Sequence, residues 1–240
     1  MCDGGKVDSR RLKGIIWFGY DCQGATAIIH SADVPKDRSI VRIATDDTIA
    51  ALTTDDRALL RDLAVVRFIP RDLIERFYYA RPRVAARRLA CLEDAGILRS
   101  RQLFVAGTRP VRIYRFAGRA GAARWGDPVP PAWTPSRMAH EVLTARAYFD
   151  LKRPLGFRVA VHIGTAQRAL FESHCPDATY ADGSRLILVE ADSGRYTARQ
   201  VREKMAYWCA VGFLWQVWVQ PLHAAAARVP EGPGIRVLRL

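Results

Sequence analysis

The chain has 240 residues, half of them apolar, which is enough for two compact domains of about a hundred residues each or for one large one. Its formal charge of +13, from 37 basic against 24 acidic residues, points to an anionic polymer or anionic lipid as partner. The lipid alternative fails twice: the longest apolar run, at 208–219, contains Gln216 and is too short to span a bilayer, and the first residues lack a basic-then-apolar signal pattern.

Five cysteines, Cys2, Cys22, Cys91, Cys175 and Cys209, form no CxxC pair and cannot all pair with one another. Neither a zinc cage nor a disulfide framework is indicated, and a reducing cytoplasm is the expected setting. The charge is uneven. Residues 67–124 hold 14 basic side chains against four acidic ones, whereas 126–240 hold 14 against 10. A basic module therefore precedes a nearly balanced one. Four prolines within 126–135 cannot sustain a helix or central strand, which places a linker there.

Residues 1–50 form an extension to which no role is assigned, with strand-like runs at 14–20, 25–30 and 39–44. From Thr54 a capped helix is expected, with Asp55 and Asp56 at the positive end of its dipole and Leu59, Leu63 and Val66 on one face. Pro70 can open a second short helix through Ile74 and Phe77. A third starts near Arg81 and Pro82, buries Ala85, Leu89 and Leu92, and stops at Gly96. That spacing turns Arg83, Arg87 and Arg88 outward. Two β-like runs, 97–105 and 111–116, follow around a basic tip at 106–110. Three helices and a hairpin over 51–125 predict a winged helix-turn-helix. Its third helix would present Arg81, Arg83, Arg87 and Arg88 to double-stranded DNA, and its wing would hold the backbone through Arg109 and Arg112. The competing reading of these arginines is a solvated face on a protein-interaction module.

Over 136–240, Pro135 opens a helix with Met138, Val142, Ala145 and Phe149 on one stripe, and His140 and Glu141 lie on it. A strand is predicted at 156–163 and a second at 177–180. The Asp182-Gly183 turn leads to a third at 185–192, where period two places Leu186, Leu188, Glu190 and Asp192 on one face. A helix at 197–211 buries Val201, Met205 and Trp208. Lys204 stands beside that stripe, where an unpaired ammonium is costly, so Asp177 and Glu190 are its expected neighbours. A strand at 213–219 and an edge at 235–240 complete the order.

Asp177 after a proline, Glu190 and Asp192 on a facing strand, and Lys204 on the next helix resemble the acidic cage of a PD-(D/E)xK nuclease with its lysine displaced. The predicted fold class is α+β, a winged helix joined to a restriction-endonuclease-like α/β domain. Asp177, Glu190 and Asp192 supply the hard oxygen ligands that Mg2+ or Mn2+ prefers, and Lys204 would offset developing charge on a phosphate. Glu141 could add a ligand or hold a metal-bound water. The histidines, His30, His140, His162, His174 and His223, show no histidine-hydrophobe-histidine spacing, so Tyr180, Tyr196 and Tyr207 are expected to pack rather than to act as nucleophiles.

With the winged-helix pattern, His140-Glu141-Val-Leu, Pro176-Asp177-Ala, Val189-Glu190-Ala-Asp192 and Lys204-Met-Ala-Tyr207, residues 54–220 resemble the replication-relaxation group of plasmid proteins, which includes the MobC-type mobilization relaxases. The resemblance implies recognition of a plasmid origin and metal-dependent nicking, with Asp177, Glu190 and Lys204 catalytic and Glu141 in support. The chain departs from the wider nuclease pattern at Asp192, where lysine is usual. Two classes follow: an origin-specific nickase, or a catalytically silent DNA-binding accessory protein that recruits mobilization or replication proteins. A homodimer is compatible with either.

Overall fold

The protein's structure, a computed structural model, describes residues 50–103, 110–126, 135–171, 174–194, 196–221, 229–230 and 232–240. The strand-like runs before residue 50, most of the hairpin tip with Arg109, and most of the proline-rich segment lie outside them. The fold is mixed α+β, with helices around a three-stranded and a five-stranded sheet.

Helix α1 (Thr54–Val66) starts with a reciprocal cap: Thr53 Oγ1 accepts from the Asp56 N–H, and Asp56 accepts from the Thr53 N–H. The cap is thus Thr53 and not Thr54, because the carboxylate able to answer a threonine hydroxyl lies three residues on. Leu59, Leu63 and Val66 are fully buried, as their spacing requires. The helix closes on Arg67, whose φ of 69° is left-handed and uncommon for a side-chain-bearing residue. Pro70 caps α2 (Arg71–Phe77) from outside while pairing within strand β1 (Ile69–Pro70). Helix α3 (Pro82–Asp94) buries Ala85, Leu89 and Leu92 and ends at Gly96, φ 68°. Strands β2 (Leu98–Leu103) and β3 (Val111–Phe116) form the expected antiparallel hairpin, and β1 adds to the free side of β3.

Short α4 (Arg119–Arg124) leads to α5 (Pro135–Asp150), whose Met138, Val142, Ala145 and Phe149 are all buried. The strand expected at 156–163 shrinks to β4 (Arg158–Val159), followed by a 3-10 turn over Ala160–His162. The cause is a change of side. Phe157 and Val159 enter one hydrophobic cluster and Ile163 enters another, so the chain must turn over the sheet edge between them. After α6 (Thr165–Ala169) come β5 (Ala178–Asp182) and β6 (Arg185–Ala191). Their loop is centred on Gly183 and Ser184, one residue later than expected, and Gly183 takes the left-handed conformation the tight turn needs. Helix α7 (Ala198–Ala210) carries a second capping box, Thr197 with Gln200. Its exit uses residues 211–213, where Gly212 has φ 88° and the Phe213 N–H bonds Trp208 O, so β7 (Gln216–Gln220) begins later than 213. Strand β8 (Ile235–Arg239) is the predicted edge.

The larger sheet runs β4-β5-β6-β7-β8, antiparallel through β6 and parallel from β6 to β8, and α7 makes the β6-to-β7 crossover. Both faces of β6 are covered. Ile187, Val189 and Ala191 join one cluster, and Leu188 meets Val201, Met205 and Trp208 of α7 in the other. Helix α5 packs against both sheets, so one buried cluster extends from Leu59 to Leu238. Polar clamps accompany it. Asp62 accepts from Tyr78 Oη at 2.5 Å and from Tyr148 Oη and Arg153 Nε at 2.8 Å each. The Arg153 guanidinium lies 4.9–5.5 Å from the ring centres of Phe77, Tyr78 and Phe149. Among the described residues no helix is long and apolar enough to cross a membrane.

Candidate functional site

Asp177 lies just before β5, directly across from Glu190 of β6, because Ala178 pairs with Val189. One Asp177 oxygen accepts the Ala191 N–H at 2.8 Å, which fixes the carboxylate against the neighbouring strand. Glu190 is wholly buried. Its Oε1 accepts from Lys204 Nζ at 2.5 Å and from Tyr196 Oη at 2.6 Å, while its Oε2 is buried without a hydrogen-bond partner among the described residues. The Lys204 ammonium also reaches Cys175 O at 3.3 Å and lies 5.1 Å from the Trp208 ring centre. Position 204 points inward because Val201, Met205 and Trp208 seat that side of α7 on β6.

Burial, and then the neighbouring Asp177 carboxylate, push the Glu190 carboxyl up to about 7 against the opposing pull of Lys204. The same cage contains His140 from α5. Its Nδ1 is 3.7 Å from Asp177 Oδ2 and its Nε2 is 3.4 Å from Ser193 Oγ. Asp177 raises the His140 pKa despite the opposing effect of burial.

The remaining expected ligands are placed differently. Both Asp192 oxygens serve the structure: Oδ1 accepts from the Gly194 and Tyr196 N–H groups, and Oδ2 from Gln220 Nε2 at 3.1 Å. Glu141, one residue beyond His140, is rotated about 100° round the helix and pairs with buried Arg67 at 3.2 Å. It therefore anchors α5 to the end of α1. Among the described residues, no three His, Cys, Asp or Glu side chains are gathered as an ion-holding group.

Tyr196, Ser193 and His140 belong to this site although their sequence signals were faint. Tyr196 packs against the smaller hydrophobic cluster, as expected, and its hydroxyl in addition donates to Glu190. The available clue was the Asp192-Ser-Gly turn between strand and helix, which holds both side chains next to the end of β6.

On the N-terminal module, Arg81, Arg83 and Arg87 are exposed on or at the start of α3, and Arg112 is exposed on β3. Arg88 departs from the expected outward set: it turns back to pair with fully buried Asp56, because an aspartate without a cation there would be costly. Arg99 and Arg101 of β2 are exposed on the sheet face that also carries Arg115. Arg115 is pushed down to about 10, first by burial and then by Arg99, Arg101 and Arg67. Comparison with protein-family models, with curated proteins and with solved structures gave no match to this chain.

Proposed function

We propose that the chain is a DNA-binding protein of plasmid mobilization or replication that nicks DNA by metal-dependent phosphodiester hydrolysis. In this reading residues 51–125 form a winged helix and 136–240 a restriction-endonuclease-like domain. The observation carrying it is the meeting of Asp177, Glu190 and Lys204 from three successive elements of one sheet-and-helix unit. The orphaned Glu190 Oε2 supports it further, since a cation satisfies such an atom.

Asp177 and Glu190 would hold Mg2+ or Mn2+, whose chemistry is to polarise the phosphate and acidify a bound water. Lys204 supplies a positive charge within reach of the same carboxylate and can face the charge that builds on the phosphate. The basic surface of α3 and β3 would select the site: Arg81, Arg83 and Arg87 toward the major groove and Arg112, with Arg109, along the backbone. The expected result with supercoiled plasmid carrying the DNA that flanks the chain's own coding sequence is a magnesium- or manganese-dependent nick. Asp177→Ala, Glu190→Ala and Lys204→Ala should each reduce nicking by about a hundredfold or more while leaving DNA binding intact. Supercoiled DNA that stays intact across a metal and sequence screen rejects catalysis.

A second reading is favoured by one contact: Lys204 already neutralises Glu190, and no three-ligand group surrounds it among the described residues. In that reading the chain grips DNA and recruits the nicking or replication machinery. Both readings share a DNA-binding prediction. Arg83→Ala and Arg87→Ala should weaken binding at every sequence they contact only through phosphate, and each should reduce the steepness of the salt dependence by about one counterion. Titration of binding against salt measures this, and an unchanged slope in both variants removes α3 from the interface.

A further inference from the structure

Ser193, His140 and Asp177 stand in line. Ser193 Oγ is 3.4 Å from His140 Nε2, and the other ring nitrogen, Nδ1, faces Asp177 Oδ2 at 3.7 Å. At 3.7 Å the His140–Asp177 contact is an ion-pair distance, and Nδ1 is buried without a hydrogen-bond partner among the described residues. A small turn of the ring that brings the Nδ1 proton onto Asp177 would leave the Nε2 lone pair for the serine hydroxyl, the tautomer a general base requires. Such contacts run long without substrate and tighten when it binds.

The three residues come from separate elements and each is held. Asp177 is fixed by the Ala191 N–H, and His140 by α5, whose next residue is anchored to Arg67. Ser193 is the apex of a turn that Asp192 closes by accepting from the Gly194 N–H, with Gly194 at φ 86°. That turn joins the end of β6 to α7, beside parallel β7, and the carboxyl ends of parallel strands are where α/β sheets leave a crevice for ligands. Ser193 is half-buried and therefore within reach of a ligand, and Lys204 is gathered on the adjoining Glu190.

We propose that Ser193 is a nucleophile toward phosphorus, with His140 as its base and Asp177 as the residue that orients His140. Resting on the DNA-cutting reading, this replaces a single attack by water with two displacements. Ser193 Oγ bonds to the phosphorus as the bond to one deoxyribose oxygen breaks. The serine proton passes to His140 Nε2 and from there to the departing sugar oxygen. The protein then carries the strand as a phosphoserine diester, which water hydrolyses or the freed hydroxyl reseals by the reverse step.

Two measurements on the full chain test this separately. An alkyl fluorophosphonate phosphonylates an activated serine with loss of fluoride and needs no DNA. Peptide mass spectrometry should locate the label on Ser193, and the labelling rate should fall about a hundredfold in His140→Gln, with melting temperature as the folding control. With supercoiled plasmid, stopping the reaction in detergent should trap protein covalently on the nicked strand, and Ser193→Ala should lose this adduct. Nicking by Ser193→Ala at the wild-type rate overturns the serine step while the metal-dependent nuclease reading stands. Labelling at Ser193 without any nicking removes the DNA-cutting reading and retains the nucleophile. Absence of label at Ser193 overturns the assignment outright.

Discussion

Replacing Asp56 by alanine should destabilise the protein by about 3–5 kcal/mol, the range for breaking a buried ion pair, and lower its melting temperature by roughly 10 °C for a chain of this size. Asp56 is fully buried and joins three elements: it caps its own helix at Thr53, accepts from Tyr79 Oη at 2.7 Å, and pairs with Arg88 of α3. Truncation strands a guanidinium and a phenol together. Burial raises the Asp56 pKa, but the bonds from Arg88, Tyr79 and Thr53 outweigh it, and the net displacement is downward. A carboxyl held low in the fold stabilises above its unfolded pKa, near 3.8, and loses that contribution as pH falls through the lower folded value. Thermal melts of wild type and Asp56→Asn should therefore converge in strong acid. A constant gap between them down to the acid transition would contradict this account.

Glu190 carries the opposite sign. Its carboxyl is raised from 4.5 to about 7, so between these values the folded chain holds a proton that the unfolded chain has released. Stability from this group is complete below 4.5 and is lost as pH climbs to about 7. Wild type should consequently fall behind Glu190→Gln as pH rises across that window, measured by melting temperature at fixed ionic strength. Lys204→Met, which leaves the ionised carboxylate without its cation, should cost about 3 kcal/mol or more at pH 8. Glu190→Gln in the same chain should recover most of that, since the coupled pair is then removed together. Additive losses in the double variant would show that the two side chains act independently.

How far the sequence led depends on the kind of signal each residue carried. Repeated apolar spacing located α1, α3, α5 and α7, because a stripe such as Val201, Met205 and Trp208 has only one way to be buried. Period two on β6 correctly divided its side chains between two clusters, with Glu190 on the α7 side. Inward placement of Lys204 followed from the price of an unpaired ammonium beside an apolar stripe. What failed lay in partners distant along the chain. Nothing local in Arg87-Arg88 says that one guanidinium faces water and the next returns to Asp56, 32 residues earlier. Likewise Glu141 and His140 are neighbours on α5, and only the packing of that helix between two sheets sends one to Arg67 and the other to Asp177. The shortened β4 has the same origin, since alternation cannot reveal when a chain passes over the edge of a sheet.

The clamp on Asp62 has a mechanical corollary. Tyr78 belongs to the N-terminal helices, whereas Tyr148 and Arg153 lie on and after α5, and all three converge on a single carboxylate of α1. The clamp thereby ties the N-terminal helices, against which α3 packs, to the helix that carries His140. Under the proposed DNA-cutting function, a tie of this kind would act as a ruler: breaks would fall at a fixed number of base pairs from the recognised sequence, and any curvature needed to touch both ends would come from the DNA.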